Sequence, residues 1–162
     1  MFERILVAVD DPESAKQAVK VATELAGRNV EAQVAMLHVI EPPVIFEACP
    51  IVPVDDIQEQ MRARFEQSLH TLSGDFPKTT RISYFVLEGR PSEQIIGAAI
   101  QWNADLIVLA DHNRPMISRV LLGSVADAVA RRAPCTVLVA RKPRVTAKEH
   151  AEMKQHLAQV SI

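Results

Sequence analysis

The chain is 162 residues long, 48% hydrophobic and 23% charged, which fits one α/β-sized domain with a substantial core. Its 18 Lys and Arg oppose 20 Asp and Glu, and the net charge of −2 gives no electrostatic drive toward nucleic acid or an anionic membrane, so neither is expected as a partner. The apolar run ILVAV at 5–9 meets Asp10, Asp11 and Glu13 at once. It is too short, and too acidic in its flank, for a signal peptide or a membrane span, and a cytoplasmic protein is expected.

Short β-branched runs at 5–9, 34–40, 82–87, 106–110 and 136–140 alternate with helical patterns near 13–26, 54–73, 92–102 and 124–132. That alternation predicts a mostly parallel sheet. ILVAV, LIVLA and TVLVA are apolar at successive positions, as strands covered by helices on both faces should be. In the first helix Ala15, Ala18, Val19, Ala22 and Leu25 recur at spacings of three and four, a stripe that can lie on the sheet, and Gly27 supplies a stop.

The segment EPPVIFEACPIVP at 41–53 carries four prolines, which excludes a helix interior and leaves Ile45, Phe46 and Ile51 in a restrained loop. Two readings of this loop stand: a cover over a pocket or partner surface, or a connector tucked onto the core. Beyond Pro143 the composition turns polar, so residues 1–142 are expected to form the domain and 143–162 an appended tail, a short helix. His150 and His156 are six apart, off the i,i+4 spacing for a shared metal, and Cys49 and Cys135 show no ligand spacing; no metal site is expected.

In open parallel sheets ligands collect beyond the carboxyl ends of the strands, so the loops after the first and fourth strands form the natural site. Asp10 leaves the first strand as an acceptor suited to a base amino group or a ribose hydroxyl, or else as a cap for the next helix. Gly123 allows close backbone approach, and Ser124 opens the following helix, whose first N–H groups face whatever anion sits there. Phosphate is the obvious guest; a simple N-cap and tight turn is the alternative.

Five ordered segments together resemble the universal stress protein family: ILVAVD at 5–10, LHVIEP at 37–42, the turn Gly89-Arg90-Pro91, ADLIVLA at 104–110 and LLGSVADAVARRAPCTVLVAR at 121–141. The resemblance implies an open five-stranded parallel sheet of order 3-2-1-4-5 with helices on both faces, similar to adenine nucleotide α-hydrolases. It also implies a site in which Asp10 lies near adenine and ribose, the Val39 backbone contacts the base, and Gly123, Ser124 and Val125 hold phosphate. The ligand implied is ATP or AMP, with Mg²⁺ accompanying the phosphates. Nucleotide-binding members of the family carry Gly, two residues, Gly, nine residues, then Gly-Ser or Gly-Thr, a pattern that falls here on Ala110, Asn113, Gly123 and Ser124.

The first two glycines of that pattern are therefore replaced. Asn113 follows glycine most readily into the left-handed region, at a cost of about 1 kcal/mol. Ala110 adds a methyl that crowds a ribose or triphosphate if it points at them. Asp111 opposes a triphosphate, whereas His112, Arg114 and Arg119 can offset it. Ser124 has no sequence partner resembling a nucleophile elbow, and no catalytic residue is expected.

Three functions follow from the resemblance and the residues: a stress-response module binding adenine nucleotide at this corner, a ligand-free dimeric interaction protein, and a slow phosphohydrolase. The resemblance also implies a homodimer through the last strand, Thr136–Ala140, whose free apolar edge would otherwise invite aggregation.

Overall fold

The structure is a computed structural model, and it describes residues 1–10, 12–42, 54–110 and 123–141. In chain order the elements are β1 (Arg4–Ala8), α1 (Pro12–Ala26), β2 (Gln33–Ile40), α2 (Val54–Leu72), a short 3₁₀ turn (Ser73–Asp75), β3 (Arg81–Glu88), α3 (Pro91–Gln101), β4 (Leu106–Ala110), α4 (Ser124–Arg132) and β5 (Thr136–Ala140). All pairings are parallel and the sheet order is β3-β2-β1-β4-β5, as the resemblance implied.

The alternation of side chains divides the core in two. Ile5, Val7, Val34, Met36, Leu106 and Val108 meet the Ala15-Ala18-Val19-Ala22 stripe of α1 and Leu69 of α2 on one face. Leu6, Ala35, Leu37, Ile107 and Leu109 meet Ile95, Ala99, Ala126 and Val129 of α3 and α4 on the other. The three central strands are thus apolar over successive positions because both faces are covered, with His38 the one buried polar side chain among the described residues. Pro91 opens α3 at a position where its missing N–H costs nothing. No helix among the described residues is long and apolar enough to cross a membrane.

At the amino ends of the strands, the Asp105 carboxylate accepts the backbone N–H groups of Glu3 (2.7 Å) and Arg4 (3.1 Å). Arg4 donates Nε to the Trp102 carbonyl at 2.7 Å and lies over that ring. This end is stapled shut, and the carboxyl end is left for a site.

The two edge strands are treated differently. Gly89 donates its N–H to the Ile40 carbonyl, so odd-numbered residues of β3 face β2 and the Val86 carbonyl points outward. Arg62 of α2 donates to that carbonyl at 3.2 Å and to Glu88 at 3.1 Å, while Ser73 and Tyr84 share a hydroxyl hydrogen bond of 2.7 Å. Along β5, Val137, Leu138 and Val139 are half-buried, and no described residue covers its outer edge in this way.

Candidate functional site

Three strand ends and one helix start converge at the carboxyl end of the sheet. β1 is central, flanked by β2 and β4, and the helices that follow β1 and β4 pass to opposite faces. This is the switch point where a crevice opens. Because β4 and β5 are parallel, α4 returns the chain from the carboxyl end of one to the amino end of the other, so its N-terminus opens at this same end.

Asp10 leaves β1 exposed to solvent. Ala110, the last residue of β4, is half-buried, and its side chain packs against the α1-side core cluster. The methyl that replaces a hydrogen of glycine is therefore accommodated by apolar neighbours there. Asn113 and Arg114, with Asp111, His112 and Arg119, lie outside the described residues, as do the proline-rich loop at 43–53 and the tail at 142–162.

Gly123 is the N-cap of α4, and Ser124 is its first helical residue, so the serine is not the cap. Gly123 has φ −50° and ψ 155°, a conformation open to any residue, and no described atom lies within 4 Å of where its Cβ would stand. Glycine here leaves space rather than permitting an unusual turn. The first α-helical bond runs from Asp127 N–H to the Gly123 carbonyl at 3.0 Å, and among the described residues no side chain caps the helix. The N–H groups of Ser124, Val125 and Ala126 precede that bond and have no intrahelical acceptor. Gly123 and Ser124 are exposed, Val125 is half-buried, and Asp127 is turned to Arg131 at 3.0 Å.

Val39 contributes through its backbone. The ladder from β1 ends with Val9 N–H donating to the Leu37 carbonyl at 2.8 Å. Parallel pairing aims the Val39 N–H at β1 in the same way, and its expected acceptor is the carbonyl of Val9. That carbonyl is taken instead by His38, whose Nδ1 lies 2.8 Å from it. Among the described residues the Val39 N–H has no backbone acceptor. Its side chain packs on the α3-α4 face.

His38 was not singled out from sequence. In the run VAMLHVI it occupies a position on the buried α1-α2 face, and a titratable residue inside an otherwise apolar strand was the available signal. It is 3% exposed, the one buried polar side chain among the described residues, and its ring stacks on Phe65 of α2 at 3.5 Å between centroids and 16° between planes. Burial pushes its pKa below the ordinary histidine value of 6.5, partly offset by the Val9 hydrogen bond and the charge of Asp10. Cys135, half-buried at the start of β5, has its thiol pKa raised by burial and by Asp105. No group of three or more metal-ligating side chains occurs among the described residues.

An open parallel sheet of order β3-β2-β1-β4-β5 with helices on both faces defines a Rossmann-like α/β protein. Residues 1–141 match the universal stress protein family, and the chain belongs to that family. It is 32% identical over 143 residues to the Thermus aquaticus "universal stress protein in QAH/OAS sulfhydrylase 3'region", covering 87% of this chain and all of that protein. Universal stress protein MJ0531 of Methanocaldococcus jannaschii is 27% identical over 145 residues, with 89% of this chain and 85% of that protein covered. Among solved structures, hypothetical protein MJ0577 superimposes with a TM-score of 0.74 at 21% identity, covering 89% of this chain and 99% of its own. A universal stress protein in complex with cAMP superimposes with a TM-score of 0.64 at 22% identity, covering 86% and 97%.

Proposed function

We propose that this chain is a cytoplasmic stress-response module that senses an adenine nucleotide, ATP or AMP, at the corner formed by Asp10, Val39 and Gly123 to Val125. The observation that carries the reading is the pair of unpaired backbone donors at one end of the sheet: the Val39 N–H beyond the last β1 ladder bond, and the uncapped start of α4. The first suits a ring nitrogen of adenine and the second suits phosphate oxygens. Asp10 supplies an acceptor for ribose hydroxyls, and Mg²⁺ enters with the phosphates of ATP.

The Ala110 methyl turned into the core cluster supports tolerance of the first missing glycine. Asn113 and Arg114 complete the assignment from the family pattern, Asn113 following the backbone course of the second glycine and Arg114 neutralising phosphate. A protein of the same fold is known with cAMP, an adenine nucleotide, which fits the same ligand class. Binding rather than turnover is the assigned activity.

The assembly in this reading is a homodimer through β5. The difference between the edges supports it: β3 is capped by Arg62, Ser73 and Tyr84, whereas β5 offers an apolar edge without such cover among the described residues.

Calorimetric titration with ATP and Mg²⁺ tests the nucleotide assignment, with Gly123→Val as control because the open space beside Gly123 lets the variant fold and the added side chain fills the phosphate corner. Saturable binding weakened at least about tenfold in the variant is expected. Absence of heat with ATP, ADP and AMP, in protein free of carried-over nucleotide, would overturn it and leave the dimeric interaction protein.

A further inference from the structure

Near the carboxyl end of β2, His38 bridges three elements. Its Nδ1 carries the hydrogen, because the partner is the Val9 carbonyl, and that bond replaces the ladder bond that Val39 would have made. Its ring lies flat on Phe65, which ties the same imidazole to α2. The peptide group that begins at His38 is the one that bears the Val39 N–H. One side chain thus sets where β1 leaves the sheet, where the Val39 donor points and how α2 sits.

We propose that His38 is a protonation-sensitive latch between α2 and the exit of β1, so that the packing of Phe65 and the course of Val9, Asp10 and Val39 change together.

The groups around it make the neutral ring the resting form. From β1, Asp10 is the charge whose field reaches the ring, and it favours protonation. On α2, Arg64 and Glu66 flank Phe65 in sequence and Arg62 lies three residues before it; Arg62 is engaged by the Val86 carbonyl and by Glu88 of β3. α1 carries Lys16 in its second turn, at this same end of the sheet. Protonation places a cation on a ring that is 3% exposed and stacked on an apolar partner. The charge is relieved by moving toward Asp10 and water, which unstacks Phe65 and shifts the Val9 carbonyl.

The latch is a property of the chain without ligand; its effect on nucleotide affinity rests on the reading above, and the test therefore uses nucleotide-free protein. The His38 ring carbons and the amides of Asp10, Val39 and Phe65 are followed by NMR in the full chain from about pH 7.5 to about pH 4.5, a range extended downward because burial lowers the histidine's pKa. The three amides are expected to move with the midpoint of the ring, and to stop doing so in His38→Asn, which offers a comparable donor to Val9 but does not titrate. Amides that stay still while the ring titrates, or that move unchanged in His38→Asn, would overturn the latch. Phe65→Leu provides a second readout should His38→Asn not fold. Removing the stacked ring is expected to raise the His38 midpoint and reduce the Asp10 and Val39 shifts, and an unchanged midpoint with unchanged shifts would overturn it as well.

Discussion

His38 donates to the carbonyl of Val9 across 2.8 Å, a side-chain bond between adjacent parallel strands at the position where a backbone bond from Val39 would otherwise close the ladder. The sheet opens one residue earlier than its pairing would allow. The freed Val39 N–H faces the same end of the molecule as the start of α4. Several measurable consequences follow from this arrangement and from the edges beside it.

The pKa of His38 is lowered in the folded chain, chiefly by burial, so the unfolded chain, with its histidine near 6.5, binds a proton more tightly. This residue therefore costs no stability above about pH 6.5 and destabilises progressively as pH falls through that value, until the folded-state group is itself protonated. The contribution changes by at most about 1.4 kcal/mol per pH unit. Urea unfolding at several pH values should show this slope in the native chain and its loss in His38→Phe, which keeps an aromatic ring against Phe65.

Gly89 has φ +130°, a region in which side chains are strained, and a Cβ there would stand 2.8 Å from Gln94 Nε2. Gly89→Ala should lower stability by about 1–3 kcal/mol in urea unfolding. The glutamine end can move aside, whereas the backbone cannot change sign cheaply. Adding Gln94→Ala should therefore recover little of the loss.

If nucleotide contacts Val39 through its backbone, Val39→Ala should change affinity by less than about threefold. Asp10→Asn, which removes a charged acceptor from the ribose position, should weaken binding by about tenfold. Calorimetry on both variants distinguishes backbone from side-chain recognition, since a large loss in Val39→Ala would argue for the side chain.

Odd-numbered residues of β1 bond to β2, so with Ile5 opposite Leu106 the even-numbered residues of β4 face β1 and the odd-numbered ones face β5. With Ile107 opposite Val137, even-numbered residues of β5 bond back to β4, and the N–H of Val137 points to the outer edge. Val137→Pro should keep the β4 ladder while removing a donor from the edge, and light scattering should then report a monomer from a dimeric parent. Leu138→Pro, which removes a bond to β4, should instead unfold the chain. A monomeric parent at micromolar concentration would count against pairing through β5.

Periodicity was enough to give five strands, the interleaved helices and the identity of the core residues, because burial on both faces leaves an unbroken apolar run that few other arrangements explain. The expected runs and the observed strands agree to within a residue at each end; the differences, such as β1 ending at Ala8 rather than Val9, arise where backbone partners run out. The strand order came with the family resemblance, since spacing alone does not say which strands neighbour which. Asp10, Gly123 and Ser124 were legible in sequence as the residues at the exit of β1 and the start of α4 because their signals are local: a carboxylate after an apolar run and a small residue before a helix. His38 was not, because its bond to Val9 joins residues 29 apart.

By itself, then, the sequence determined the α/β class, the family and the packing stripe of α1, all of which depend on patterns within a few residues. Only the tertiary structure decided that Gly123 rather than Ser124 caps α4, that the Ala110 methyl turns into the core, that α2 caps one sheet edge through Arg62, and that an imidazole takes the place of a ladder bond beside Val39. The physical reason is the same in each case. Hydrogen-bond acceptors and free space are shared among elements distant in sequence, and which donor reaches a given carbonyl is settled only when the sheet and helices have packed.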